Sequence, residues 1–511
     1  MYLALALLLP FAGFLACITL FRRTRQSAFI TALATSGVAF LASLAMIPEI
    51  AQNPTRISQA TQLDWIPYPP IHFSIGADGL SLWLIVATAL LSLIAILSAA
   101  KRSGDFFAWL LLLESAIIGV FCAQDLFLFF VFFELTLVPT LFLMGQYGKD
   151  SGRSTSTAAT IKFFIYTFAG SVLMLAAIVY LFLKAGTFDY QNILLQMAAG
   201  SFRLSPAEQL PLFLAFFLAF AVKTPLFPFH SWQADAYATA PSPLGIVMAG
   251  LMGKLGCYGL LRFCLPLFPN AARDCAYWIN ALAILAILYG ALVAIVQPNI
   301  KRLLAFSSLS HLGFIVLGIF SFHINGLDGA AYQLVCHAIT TGALFLLAGY
   351  LEDRKGSTDI ADFGGLASRT PWLATTFLIA VLAASGLPSL NNFVGEFLIL
   401  QGAAFAGFPY AAAAAIGVIL SAVYLLWMYQ RTFLGPVQPG DTTPDLSNTE
   451  ALAIAPLVIL MFWMGIGSGN FLPLQNAVNI KILQQSKMNV EFRVAAPPPI
   501  AAVQPEAVSG N

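Results

Sequence analysis

A lysine at the break of an apolar helix is the first feature of this sequence that suggests chemistry. The stretch 213–230, FLAFFLAFAVKTPLFPFH, carries Lys223 followed by Thr224, Pro225 and Pro228. A lysine at the bilayer centre costs about 2.5–3.5 kcal/mol, and each proline removes a helical hydrogen bond. The ammonium and the freed carbonyls must face protein or a wet cavity, because lipid cannot satisfy them. This combination is typical of an ion site in a transporter, the alternative being a proline kink with a snorkelling lysine.

A second interrupted helix is predicted at 371–406. Its sequence, ASGLPSLNNFVGEF, places Gly386 and Pro388 among polar residues and precedes the acid Glu396. Two interrupted spans, one in each half of the chain and five spans apart, predict a repeat of five helices.

Two more titratable side chains lie deep in apolar stretches. Glu134 in LFLFFVFFELTLVPTLFL is about 13 Å beyond Asp125 along a helix. Lys254 in MAGLMGKLGCYGLL is surrounded by glycines that let neighbouring helices approach closely. Each could take up and release a proton near neutral pH if the residue that pairs with it moved towards it and away again. The alternatives are a neutral Glu134 that locks two helices and a Lys254 paired permanently with an acid.

Two histidines extend this set of polar residues. His311 follows a group of serines, and His337 has Gln333 and Thr341 four residues to either side, on the same helix face. Histidine suits a proton relay because it titrates near neutrality. A satisfied core histidine is the alternative for each.

Six residues are therefore the predicted site: Glu134, Lys223, Lys254, His311, His337 and Glu396. A row of ionisable groups joined by hydroxyls and water is what lateral proton transfer within a membrane requires. The hypothesis is pair switching: Lys223 keeps its proton while paired with Glu134, and passes it through water and histidine towards Lys254 or Glu396 when the pair opens.

Other titratable residues have weaker signals. Glu114 is as readily structural as functional, Lys162 is expected to snorkel or pair structurally, and Asp235 on the connector with His230 could cap a helix or pair with a loop base. His72 and His323 are interpreted as loop residues and are left out of the site.

The composition sets the class of protein. The 511 residues are 59% hydrophobic and 9% charged, against about 25% charged in soluble proteins, so the chain is a polytopic membrane protein. Its net charge of +1 argues against nucleic acid or an acidic partner surface. The six cysteines have no metal-ligand spacing, so no iron–sulfur cluster and no disulfide framework are expected. No phosphate-binding glycine motif is present.

Apolar windows predict an all-α polytopic fold with about 14 transmembrane helices. The loop 50–76 is expected at the membrane interface, 230–240 as a lateral connector, and the chain after about 484 as a polar tail. The windows are 2–21, 28–48, 77–99, 105–122, 125–147, 158–183, 209–228 (broken), 241–264, 276–297, 303–322, 328–350, 371–406 (broken), 409–430 and 449–469.

Loop charges predict the orientation. With the N-terminus outside, most loop lysines and arginines fall inside, so the positive-inside rule places both termini outside. The first helix precedes its positive charges, which indicates a retained helix rather than a signal peptide. The inside loops then hold Arg22, Arg23, Arg25, Lys101, Arg102, Lys149, Arg153, Lys301, Arg302, Arg354, Lys355, Arg369 and Arg431.

Several motifs together resemble one family. FFELTLVPTLFLMGQYG, KFFIYT, AFAVKTPLFPFHSW with DAYATAP, GKLGCYGLLRF, IKRLLAFSSLSHLGF and NNFVGEF are similar to the antiporter-like membrane subunits of proton-pumping NADH–quinone oxidoreductase, respiratory complex I. The similarity runs in register from about residue 75 to 435. The wider family includes Mrp-type cation/proton antiporter subunits and membrane hydrogenase subunits.

The resemblance implies two inverted five-helix repeats, each with a broken helix and a half-channel. It assigns 1–104 to N-terminal helices and an interface loop, 105–264 and 265–435 to the two half-channels, 436–483 to a C-terminal helix, and 484–511 to the tail. It matches the family's channel residues to the six predicted here, and Glu396 in place of a lysine favours the subunit M type over the distal subunit L type.

The resemblance also implies the partners. Neighbouring antiporter-like subunits would flank the chain in a bacterial inner membrane, while NADH, FMN, iron–sulfur clusters and quinone would be held by other subunits and none by this chain. An Mrp-type antiporter, a related hydrogenase or ferredoxin-driven complex, and a structural scaffold with frozen ion pairs are the alternatives. The sequence departs from the family pattern at Ala234, Tyr237, Ser389 and Asn391, which puts a role for position 237 and the hinge of the second break in doubt.

Overall fold

The computed structural model describes residues 1–21, 24–151, 154–438 and 442–486. Within these ranges, twelve helical segments are long and apolar enough to cross a bilayer, and two shorter apolar helices fill two further predicted spans. The polytopic helical class is confirmed, whereas the count of 14 stays a prediction. The predicted inside residues Arg22, Arg23 and Arg153, and the tail from residue 487, lie outside the described ranges.

The N-terminal region differs from the expected irregular loop at 50–76. Two strands form an antiparallel hairpin there, with Leu63 opposite Phe73. Prolines at 69 and 70 turn the chain between two segments rich in β-forming residues, which explains the hairpin. The elements are α1 Tyr2–Thr19, α2 Arg25–Ala45, α3 Ile47–Gln52, β1 Ser58–Ile66, β2 Ile71–Ala77, α4 Leu82–Ser98 and α5 Gly104–Cys122.

The next elements contain the first predicted break. Helix α10 ends at Lys223, and the broken span resumes as the short connector helix α11. Segments α12 to α14 follow one another through π-helical turns at Met248–Met252 and Leu260–Cys264. The elements are α6 Leu126–Leu135, α7 Leu137–Tyr147, α8 Ser156–Ala185, α9 Tyr190–Ala199, α10 Pro206–Lys223, α11 Ser231–Thr239, α12 Ser242–Val247, α13 Gly253–Gly259 and α14 Leu265–Leu267.

The second break is also confirmed, between α18 and α19. Gly386 and Ser389 both have left-handed backbone angles there, with φ of 72° and 78°. The remaining elements are α15 Pro269–Ile295, α16 Ile300–Ile319, α17 Ile324–Lys355, α18 Pro371–Ala384, α19 Asn391–Ala406, α20 Phe408–Phe433, α21 Asn448–Ile466 and α22 Leu472–Gln485.

The backbone at the first break is satisfied by protein groups. Pro225 cannot donate to the carbonyl of Ala221, and the amide of Leu226 donates to it instead at 2.8 Å. The indole of Trp232 on α11 donates to the carbonyl of Val222 at 3.0 Å. Because a buried carbonyl without a partner is costly in hydrocarbon, these two bonds let the helix stop inside the protein.

A glycine of a neighbouring helix packs on each break. A Cβ added at Gly256 would overlap the backbone at Phe220 and Thr224, and one added at Gly465 would overlap the backbone at Ser389 and Leu390. Small residues allow helix backbones to approach this closely in membranes. The two breaks are therefore held by backbone-to-backbone packing.

The connector helix α11 is tied to the chain on both sides. Asp235 accepts a hydrogen bond from Lys162 of α8 at 2.9 Å and another from Arg302 of α16 at 2.8 Å. Lys162 therefore makes a structural ion pair, one of the two roles expected for it. Asp235 pairs with basic residues, one of the two alternatives left open by the sequence. One carboxylate thus joins helices from both halves of the chain.

Replacing Asp235 by asparagine should destabilise the fold. Asp235→Asn leaves two cations without their carboxylate, and loss of charged hydrogen bonds of this kind costs about 1–3 kcal/mol. The measurement is the thermal unfolding midpoint of the purified membrane assembly. Asp64→Asn is the matched control, since the Asp64 side chain is 92% exposed; equal midpoints for the two variants would contradict the prediction.

Replacing Ser389 by glycine should stabilise the second break. Ser389 is exposed and has a left-handed backbone, a conformation that costs a residue with a Cβ about 1 kcal/mol more than glycine. Ser389→Gly should therefore raise the thermal midpoint. In the control Ser385→Gly, φ is −78°, so glycine relieves no strain. It brings an entropic cost of about 0.5–1 kcal/mol and removes the hydrogen bond from the Ser385 hydroxyl to the carbonyl of Val381, so the midpoint should fall. A lower midpoint for Ser389→Gly would refute the strain.

Candidate functional site

Lys223 is buried where two irregular helices meet. Its ammonium donates to the Thr136 hydroxyl at 2.8 Å and lies 4.8 Å from the centre of the Phe133 ring. Thr136 separates α6 from α7, and Pro139 cannot donate to the carbonyl of Leu135 there. The end of α10 and the bend between α6 and α7 therefore converge on this ammonium.

Glu134 lies beside Lys223 without binding it directly. The carboxylate is within electrostatic range of Lys223 and next to the Ser171 side chain of α8. Its Oε1 atom has no hydrogen-bond partner among the described residues. The structure thus holds the Lys223 ammonium on Thr136, with the carboxylate of the predicted pair standing close by.

Lys254 is fully buried in a helix that packs on the first break. Its ammonium donates to the carbonyl of Ala249 at 2.8 Å. Ala249 lies in a π-helical turn, an irregularity common at functional sites. The Cys257 thiol donates to the Thr224 hydroxyl at 3.6 Å, which places the Lys254 helix directly against the residue that follows Lys223.

The two histidines and Glu396 form a connected group. The rings of His311 and His337 are 5.4 Å apart between centroids. His311 Nδ1 lies 3.0 Å from Glu396 Oε1, and the Gln333 amide donates to the same oxygen at 3.2 Å. His337 is within electrostatic range of both His311 and Lys254. The His311 ring therefore contacts the glutamate, and the His337 ring lies next to it on the side of Lys254.

The second break adjoins Glu396. A Cβ added at Gly386 would lie 2.8 Å from Glu396 Oε2. Asn391, where a glycine was expected, donates to the carbonyl of Cys336 at 3.0 Å and accepts from Thr340 at 3.2 Å. The asparagine thus ties the break to α17, the helix that carries His337.

Several buried polar atoms along this row have no protein partner in the described part of the chain. Buried polar groups are almost always hydrogen-bonded, and internal water is the usual partner where protein supplies none. The row is therefore a place for ordered water. The atoms are Glu134 Oε1, Ser308 Oγ, His311 Nε2, Gln333 Oε1, and both ring nitrogens of His337.

The weaker candidates lie elsewhere. Glu114 is buried against α2 and accepts from Ser36 at 3.0 Å, apart from the row. His230 contacts the rings of Phe227 and Tyr289 on the connector side.

The histidines left out of the site have surface partners. His72 pairs with Asp64 at 3.0 Å, and His323 stacks on Phe405.

Two buried ion pairs and one hydroxyl were missed by sequence reasoning. Lys301 binds Glu352 at 2.6 Å, and Arg262 binds Asp78 at 2.6 Å; Lys301 had been counted among the inside-loop charges. The hydroxyl is Thr136, and its signal was available, because ELTLVP places a proline three residues beyond it.

Metal-ligating side chains are dispersed. All six cysteines are free, and among the described residues no group of three or more His, Cys, Asp or Glu side chains could hold a metal ion.

The chain is similar to known membrane subunits of NADH:quinone oxidoreductase. The family model described as NADH:quinone oxidoreductase/Mrp antiporter, TM, matches residues 123–422. NADH-quinone oxidoreductase subunit M of Rickettsia prowazekii is 37% identical, over 91% of this chain and 95% of its own. The protein of the same name from Mycobacterium tuberculosis is 34% identical, over 91% of each chain.

Solved structures of membrane complexes are also similar to this chain. A chain of respiratory complex I from Thermus thermophilus with bound NADH superposes with a TM-score of 0.87 at 34% identity, over 95% of this chain and all of that one. A chain of the Mrp complex from Dietzia superposes at 0.83 with 22% identity, over 95% and 99% of the two chains, which shows a shared fold alone. The chain belongs to the NADH:quinone oxidoreductase/Mrp antiporter family of membrane subunits.

Proposed function

We propose that the chain is a proton-translocating membrane-arm subunit, of the subunit M type, in a redox-driven NADH:quinone oxidoreductase. One observation supports this most: the six predicted residues lie along one polar row, in which Glu134 is half-buried and the other five are buried, with the two histidines between the Lys254 side and Glu396. The relatives that share most of this chain's length have that name.

The proton path would run between the two breaks. Residues 105–264 would form one half-channel around Glu134, Lys223 and Lys254, and 265–435 the other around the two histidines and Glu396. Water at the unpartnered ring nitrogens of His337 would bridge the two. Each group in the path either donates or accepts, so a proton can be handed on without leaving the protein interior.

The driving step would be exchange of the partner of Lys223. In the structure its ammonium binds a neutral hydroxyl, Thr136. Motion of the ammonium towards the Glu134 carboxylate favours the charged lysine. Return to Thr136 favours release of its proton towards Lys254, once Lys254 has passed its own proton on and is a neutral amine. Because the pair is open here, it is not a frozen ion pair, which speaks against a purely structural scaffold.

The complex would supply what the chain does not hold. NADH, FMN, iron–sulfur clusters and quinone would belong to other subunits, and neighbouring antiporter-like subunits would contact this one. The location would be a bacterial inner membrane with both termini on the periplasmic side, as the loop charges predict. An Mrp-type antiporter remains the second candidate through its shared fold, and sodium exchange driven by a proton gradient without NADH would identify it.

Removing the Lys223 ammonium should stop coupled proton transport. In Lys223→Ala the exchanging cation is gone, so the protons pumped per NADH oxidised should fall at least 10-fold in the reconstituted complex, while the subunits still assemble. Lys184→Ala is the control, since Lys184 is half-exposed and pairs with Glu208 at 2.8 Å on the surface. Normal pumping in Lys223→Ala would refute the proposed function.

A further inference from the structure

A polar cavity lies on the side of the protein where loop lysines and arginines concentrate. Its volume is about 280 Å³, and it opens between the end of α4, the start of α12 and the end of α17. Lys101, Arg102, Ser242 and Asp353 supply polar walls. A space of this size with charged walls holds several waters, since one water occupies about 30 Å³.

Two helix faces lead from this cavity towards Lys254. Ile246 and Leu346 belong to its lining. On α17, positions 346, 342 and 338 are spaced by four residues and follow one face of the helix. Ile246, Gly250 and Lys254 follow one another along the neighbouring segment, which includes the π-helical turn Met248–Met252. The two segments are in contact, because Ile246 Cγ2 lies 3.7 Å from the Cβ position of Gly342.

The middle of both faces is glycine, and one leucine fills the space. A Cβ added at Gly250 would lie 2.8 Å from a methyl carbon of Leu91, and one added at Gly342 would lie 2.7 Å from the other methyl carbon. Leu91 on α4 is fully buried. Its branched end therefore rests on both glycines at once, between the cavity lining and the depth of Lys254.

Beyond Leu91 the surroundings become polar again. Ala249, next to Gly250, provides the carbonyl that binds the Lys254 ammonium. The carbonyl of Ala338, next to His337, lies 3.3 Å from the Cβ position of Gly250. A proton arriving past Leu91 would thus meet the centre of the row.

We propose that this cavity supplies protons to Lys254 and that Leu91, seated on Gly250 and Gly342, is the dry barrier between them. This inference rests on the proposed function and adds an uptake route that bypasses the first break. The barrier must open to water for each proton and close again, since a permanently wet route would let protons return.

The first test replaces the proposed barrier residue, Leu91, by a smaller one. In Leu91→Ala water should bridge the cavity and Lys254, so protons pumped per NADH oxidised should fall at least two-fold in the reconstituted complex while quinone reduction continues. Leu93→Ala is the matched control, because Leu93 lies on the same helix but lines an apolar groove with Phe40 and Trp83. A ratio equal to that of Leu93→Ala would overturn the barrier.

The second test does not depend on the leucine variant folding. Ile246→Cys should react with a small, cationic, membrane-impermeant thiol reagent applied from the cavity side of sealed vesicles, and the modified complex should lose at least half its pumping. Leu93→Cys and the unmodified chain with its native thiols are the controls. No reaction at position 246, or full pumping after reaction, would overturn the route and leave the cavity as a site for lipid headgroups.

The two proposals fail separately. If Lys223→Ala pumps normally, the proposed function is wrong whatever the cavity does. If Lys223→Ala stops pumping while the variants at Leu91 and Ile246 behave as their controls, only the uptake route is wrong.

Discussion

Unsatisfied backbone inside hydrocarbon is the constraint on which this structure depends. Two transmembrane helices stop within the protein, and every such stop exposes carbonyls that lipid cannot bond. At the first break the Leu226 amide and the Trp232 indole supply the missing donors. At both breaks a glycine of an adjacent helix brings backbone into direct contact. Only with the breaks enclosed in this way can charged side chains be kept beside them.

The sequence was sufficient for the breaks and for the membership of the polar row. Pro225, Pro228 and Pro388 interrupt a helix because proline has no N–H to donate and its ring clashes with the preceding turn. The ends of α10 and α18 could therefore be placed within a few residues. Charged residues inside apolar windows are costly, which singles them out without any structure. The contact between His311 and Glu396 joins residues 85 positions apart. The cost of burying both residues and the resemblance to the family indicated that they share a site, but not that they are in direct contact.

The unpredicted features arise from packing between distant segments. The hairpin at 58–77 was hidden in a polar, proline-rich stretch. The π-helical turn beneath Lys254 has no local signature, because it depends on how glycines of the same segment fit against neighbouring helices. The resting partner of Lys223 was also missed: Glu134 is the obvious opposite charge, whereas the ammonium binds the uncharged Thr136, two residues further along the chain. Ser389 shows that a left-handed position can be occupied without glycine when its side chain points to the surface.

The two hydrogen bonds of Asp235 connect helices from the two halves of the chain. Lys162 lies on α8, which packs beside Glu134, and Arg302 lies at the start of α16, the helix of His311. The Asp235 carboxylate therefore connects the two halves of the chain through the connector helix. If one half moved relative to the other, these hydrogen bonds would move α11, and with it the Trp232 indole that donates to the carbonyl of Val222, the residue before Lys223. The connector thus provides a physical link between the two halves that ends beside Lys223.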